Sequence, residues 1–329
     1  METKVTIILV VRETYYFSPR VLESVYQHTK LPFQLIYVAG AAPTKERYEL
    51  EKAAEQHKFL LIQRPYVLSQ NEARNLALPH VVTPYVVILD NDCIVGEGWL
   101  ESLLSVMEET PAVMVQPLTY LGEPDKRLLH FFTGTCHLVK ENGLSRVDER
   151  YPYHLLKFDD LPEPLTRRPT EMVEYHCLLL RKTFLDRLGF FDEDLKSTRD
   201  HHDLSLKAQE WGELVLSEPT AKVYYFHPPP FLWRELPYFL VRWSPLWNQI
   251  SHHRMDTKWN ITGSARNLGF LNSHRRIHLE NLRNTAQKVL GKKLTSWFWM
   301  TILYPLESKL ADYFAKRNER IKSDYLENA

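Results

Sequence analysis

Apolar runs without polar alternation punctuate the first 120 positions, and each is followed by a stretch whose apolar residues recur at helical spacing. Residues 5–11, VTIILVV, have the pattern of a strand buried on both faces of a parallel sheet. Ser18-Pro19 then opens a helix, with Val21, Leu22, Val25 and Tyr26 on one face. The same reading predicts strands at 33–40, 59–63, 85–89 and 112–117, and helices at 44–58, 71–78 and 99–107. Such βα alternation specifies a nucleotide-binding α/β fold, whose ligands gather at the carboxyl ends of the strands. From about 120 to 168 the periodicity disappears into proline, charge and aromatics, the composition of a long functional loop. Order returns with a strand at 173–181, a helix at 183–188 stopped by Gly189, a helix at 202–211 stopped by Gly212, and a strand at 223–226 that runs into His227 and three prolines.

Composition narrows the class. The chain has 329 residues, 44% of them hydrophobic, with 41 basic and 41 acidic side chains, so it lacks the basic excess of a nucleic-acid binder. Cys93, Cys136 and Cys177 are odd in number and widely spaced, which suits a reducing compartment better than a disulfide framework. Neither a secretory leader nor an apolar run of about 18 residues is present, so the sequence predicts a cytoplasmic protein that at most lies peripherally on the inner face of a membrane. Beyond residue 250, Lys and Arg outnumber Asp and Glu roughly two to one. The region after residue 230 carries Trp233, Trp243, Trp247, Trp259, Trp297 and Trp299 among basic residues, and two readings stand. It is a helical cap packed on the catalytic part, the preferred reading, or an amphipathic platform at a membrane interface.

The sharpest chemical feature is Asp90-Asn91-Asp92, two carboxylates one residue apart at the end of the strand VVILD. Acidic side chains so placed can hold a divalent cation that stabilises a departing diphosphate. With the first strand, the segment Asn71-Glu-Ala-Arg-Asn75, and the block from Val173 through GFFDEDL to DLSLKAQEWG, this motif makes the chain resemble the inverting nucleotide-sugar glycosyltransferases of family 2, over residues 4–228. The resemblance implies the GT-A fold, a Rossmann-like mixed sheet with flanking helices. It implies a catalytic domain at 1–230, divided near 118 into nucleotide-binding and acceptor halves, and a helical region at 231–329.

Roles follow from the same resemblance. Val11, Arg12, Glu13, Gly40, Asn71, Arg74, Asp90 and Asn91 are implied to bind the donor. Asp90, Asp92 and His227 are implied to hold Mn²⁺ or Mg²⁺, the imidazole favouring Mn²⁺. The general base falls in Asp200-His201-His202-Asp203-Leu204, where relatives carry a Glu-Asp pair; both Asp200 and His201 remain candidates. The end of the second strand, Val38-Ala39-Gly40, lacks the acidic residue with which relatives read uracil, so guanosine and thymidine donors stay open. The expected reaction moves a sugar from a nucleoside diphosphate to the hydroxyl of a glycan, lipid-linked or protein acceptor, with inversion, as in bacterial polysaccharide synthesis. Alternatives are a nucleotidyltransferase on the same scaffold and a catalytically silent nucleotide-sugar-binding protein.

Overall fold

The computed structural model describes residues 2–227, 232–262 and 277–328. The first half runs β1 (Val5–Val10), α1 (Ser18–His28), β2 (Phe33–Gly40), α2 (Thr44–His57), β3 (Leu60–Arg64), α3 (Gln70–Ala77), β4 (Tyr85–Asp90), β5 (Cys93–Val95), α4 (Trp99–Glu109) and β6 (Met114–Leu121). The second half adds β7 (Leu129–Phe131), β8 (Thr135–Glu141), β9 (Leu144–Arg150), β10 (Arg168–Pro169), β11 (Cys177–Arg181), α5 (Lys182–Leu188), α6 (Asp200–Glu210) and β12 (Val215–Tyr225). Helices α7 (Leu236–Arg242), α8 (Pro245–Trp259), α9 (Ile277–Leu290), α10 (Lys292–Phe298) and α11 (Tyr304–Glu327) follow.

The main sheet has the order β10-β12-β6-β11-β4-β1-β2-β3. β1 is parallel to both β2 and β4, whereas β11 lies antiparallel between β4 and β6. Every residue of β1 is buried, as an interior strand requires. Ile7 and Leu9 pack with α1 and α4 on one face, and Ile8 and Val10 with α3, α5 and α6 on the other.

Three stretches depart from the sequence reading, the first being the strand expected at 173–181, which begins only at Cys177 because Tyr175 and His176 lie in a turn. Residues 135–150 form a hairpin rather than an irregular loop, turned by Asn142-Gly143 with both residues at positive φ. The predicted strand at 223–226 is only the end of β12, which starts at Val215 and is interrupted by a register shift between Glu218 and Lys222. Pro219 lies in that irregularity, which is what hid the longer strand.

The helices after residue 230 fasten directly to the ends of the sheet strands. Tyr238 donates to the Val11 carbonyl, and Glu235 accepts from the Tyr15 amide. Farther along, Thr295, Trp299, Tyr304, Glu307, Ala311, Ala315 and Asn318 form one buried stripe. Its steps are three or four residues except for the five between Trp299 and Tyr304, and a π-helical turn at Trp299–Leu303 takes up the extra residue. Asn318 clasps the Val67 backbone, accepting from its N–H at 2.7 Å and donating to its carbonyl at 2.9 Å. The expected boundary at 230 lies outside the described residues.

Candidate active site

A cleft of about 360 Å³ opens where β1 and β4 end, walled by the N-terminus of α6, the β8–β9 hairpin and the α7–α8 junction. Strand β4 delivers Asp90 to its floor. Asp90 accepts from Gln70 Nε2 at 3.1 Å and faces His176 Nδ1 at 3.3 Å. Asp92 is buried one turn residue later, its carbonyl accepting from the Phe226 amide, so β12 holds the motif in place.

Between the two carboxylates the side chain of Asn91 turns inward. It accepts from the Arg12 amide and donates to the Thr14 carbonyl and Ser18 Oγ. Its amide is thereby committed to bracing the β1–α1 connection. Gly40 likewise has a packing duty, because a Cβ there would stand 2.7 Å from Tyr66 O and Leu68 N. The Gly40 carbonyl accepts from Tyr15 OH, and the Val11 carbonyl accepts from Tyr238 OH.

Arg12 lies 3.9–4.0 Å from Asp90, Asp92 and Glu13, and its guanidinium sits over the Tyr225 ring. Burial works against its charge, but Tyr225 and the three carboxylates more than restore it. Burial also pushes the carboxyls of Asp90 and Asp92 up, to about 6 and about 8, with Arg12 opposing the rise and the neighbouring acids adding to it. A cation bound beside these carboxyls would offset the burial that raises them and favour their charged form.

The donor set fits such an ion. Ligand atoms of Asp92, Cys93 and His176 all lie within 4.8 Å of one another. His227 is outside this group and stacks on Tyr225, with ring centroids 5.7 Å apart. His176 was not among the residues expected from sequence. Its signal is the polar triplet Glu174-Tyr175-His176 ahead of CLLLR, but only the antiparallel register, Cys177 opposite Leu89, sets it beside Asp90. His176 also contacts His130 through Nε2 at 3.0 Å, and burial holds both imidazoles neutral.

The start of α6 supplies the second chemical group. Arg74 is fully buried, donates to Asp200 at 2.7 Å and to Asn71 at 2.6 Å, and lies 3.5 Å from the Tyr175 ring centroid. This arrangement places Arg74 behind the cleft wall, as the anchor of Asp200. Burial would lift the Asp200 carboxyl, but Arg74 and His201 outweigh it and hold it well below the usual carboxylate range. His201 turns Nδ1 toward Asp200 at 3.6 Å, and its Nε2 is buried with no hydrogen-bond partner among the described residues. Burial disfavours its charge, yet Glu174, Asp200 and Glu149 raise it above 6.5. A second set of ligand-like groups, Glu149, His201 and His202, also clusters within 4.8 Å. Arg199 stands 3.7 Å from Glu149 and 3.4 Å from His202, and its charge opposes a cation there.

Comparison with known proteins agrees with this architecture. Residues 6–189 match the model of glycosyl transferase family 2. The pre-mycofactocin glycosyltransferase of Mycobacterium tuberculosis, in strains CDC 1551 / Oshkosh and ATCC 25618 / H37Rv, is 26% identical over 167 residues, covering 51% of this chain and 32% of the relative. The chain therefore matches about a third of the length of those curated relatives. A crystal structure of GalNAc-T7 with UDP, GalNAc and Mn²⁺ superposes with a TM-score of 0.51 at 15% identity, covering 93% of this chain and 57% of that one. The mannosyltransferase PcManGT of Pyrobaculum calidifontis, solved with GDP-Man and Mn²⁺, gives a TM-score of 0.49 at 13% identity over 95% of this chain and 85% of that one. The mixed sheet with flanking helices is thus the GT-A fold. With more than half of its length matched by the family model, the chain belongs to glycosyl transferase family 2.

Proposed function

We propose that the protein transfers a sugar from a nucleoside diphosphate donor to an acceptor hydroxyl with inversion, and that His201 is the general base. The observation that carries this reading is the Nε2 of His201 at the cleft wall, without a hydrogen-bond partner among the described residues, with Nδ1 turned toward an ionised Asp200. As the acceptor oxygen bonds to the anomeric carbon, the bond from that carbon to the diphosphate breaks and Nε2 takes the hydroxyl proton. Asp200, fixed by Arg74, orients the imidazole and stabilises the imidazolium that results. Asp200 itself is a weak base, because its carboxylate is already bound to a buried guanidinium.

Asp92 and His176, with Asp90 3.3 Å from His176, would hold a divalent cation, and their mixed nitrogen and oxygen donors favour Mn²⁺ over Mg²⁺. When bound, the ion supplies Lewis-acid neutralisation of the leaving diphosphate. Arg12, at the same floor, contributes fixed positive charge beside the donor. The test is donor binding and hydrolysis across UDP, GDP and dTDP sugars with Mn²⁺ or Mg²⁺, comparing wild type with Asp92→Ala and His201→Ala. Metal-dependent binding lost in Asp92→Ala, with turnover but not binding lost in His201→Ala, is the expected result. Binding without turnover in the wild type, unchanged by His201→Ala, supports a silent nucleotide-sugar-binding protein instead.

A further inference from the structure

Exposed apolar side chains gather between residues 290 and 313, on α10, the start of α11 and the end of α9. Leu294 and Trp297 lie three residues apart on α10, just after Leu290 closes α9, and Leu306, Leu310 and Tyr313 follow one face of α11 at steps of four and three. These six side chains are between 45 and 61% exposed. The opposite face of the same segment is the buried stripe through Thr295, Trp299 and Tyr304, so the exposed face is not a core face awaiting these elements. Exposed apolar surface of this extent marks a docking site.

Charge identifies what docks. Between residues 283 and 310 stand Arg283, Lys288, Lys292, Lys293 and Lys309 against one acid, Glu307, which is buried. Lys293 is four residues from Trp297 on α10, and Lys309 is three from Leu306 and four from Tyr313 on α11. Long stems so placed lie along the apolar face while their ammonium groups reach out to anionic partners. A second copy of the same face would meet like charge with like. No described helix is long and apolar enough to cross a membrane, and Pro305 with the π-helical turn interrupts the segment.

We propose that this face lies in the interface of an anionic lipid bilayer, with Trp297 and the leucines below the headgroups and the lysines among them. The far half of α11 is joined to the nucleotide-binding half by Asn318 to Val67, Lys322 to Glu72 at 2.7 Å, and Tyr325 stacked edge-on to Tyr66. Docking therefore fixes the catalytic cleft at a set height and tilt above the lipid, which suits an acceptor presented at a membrane surface.

The experiment is co-sedimentation of the full chain with phosphatidylcholine vesicles and with vesicles containing phosphatidylglycerol, at low and high salt. Wild type is expected to bind the anionic vesicles at least tenfold more tightly than the neutral ones, with the preference reduced by salt. Leu294→Glu/Leu306→Glu should abolish binding, and Lys292→Glu/Lys293→Glu should remove the anionic preference, with circular dichroism and melting temperature unchanged in both. No binding to either vesicle, equal binding to both, or a wild-type dimer that Leu306→Glu splits would each overturn the proposal.

Discussion

Three side chains in series, Arg74, Asp200 and His201, set the chemistry of the cleft. The carboxylate is ionised across the working pH range, so it gives no titration near neutrality, whereas His201 is lifted above 6.5 by the acids around it. A base must be unprotonated to act. The acidic limb of log kcat/KM against pH should therefore have its midpoint above 6.5 in wild type and vanish in His201→Ala, whose kcat falls by about 10²–10⁴. A profile flat from pH 5 to 8 would assign the task to Asp200. Asp92 makes a second prediction of opposite sense. Its folded carboxyl titrates at about 8 against an ordinary 3.8, so over that interval the folded chain binds more protons than the unfolded one, and stability falls as pH rises. Melting temperature without divalent cation should decline between pH 5 and pH 8, and Asp92→Asn should flatten the slope.

Among the elements, α11 shows best how local geometry answers a sequence requirement. Its buried stripe fails the three-or-four rule at one place, and a π-helical turn restores the face just before Pro305, which has no N–H to donate. The clasp of Asn318 on Val67 then ties the helix to the loop between β3 and α3, whose capping residue Ser69 accepts from the Glu72 amide. Asn318→Ala leaves the buried N–H and carbonyl of Val67 without these bonds and should cost about 2 kcal/mol, seen as a lower urea midpoint with unchanged slope. The β8–β9 hairpin shows the reverse relation. Asn142-Gly143 supplies the turn, but the strands beside it are largely exposed or half-buried, so no apolar alternation marks the hairpin along the chain. That hairpin carries Glu149 to the imidazole of His202 and closes one side of the cleft.

At the level of the whole molecule, the helices after residue 230 complete the catalytic body. Arg242 donates to the Arg12 carbonyl and to Gln70, which itself donates to Asp90, so α7 reaches the metal-type carboxylate through one intermediate. Trp247 is buried, and its indole N–H donates to Glu319, which also receives Lys196. A chain ending at residue 262 loses those partners, and it should melt several degrees lower than the full chain or fail to stay in solution on expression. Trp243, Trp247 and Trp299 are buried, in keeping with a packed helical region, whereas Trp297 is exposed, on the face proposed above to meet lipid. The sequence by itself determined the βα order, the strand that ends in Asp90, the helix that opens near Asp200, and the family, because buried strands and caps leave period and residue-type signals within short windows. Only the tertiary structure decided that β11 runs antiparallel and sets His176 beside Asp90, that Arg74 serves Asp200 from behind the wall, and that Asn91 faces inward. Those assignments depend on contacts between residues tens to more than a hundred positions apart, and no local pattern along the chain records which partners the sheet will bring together.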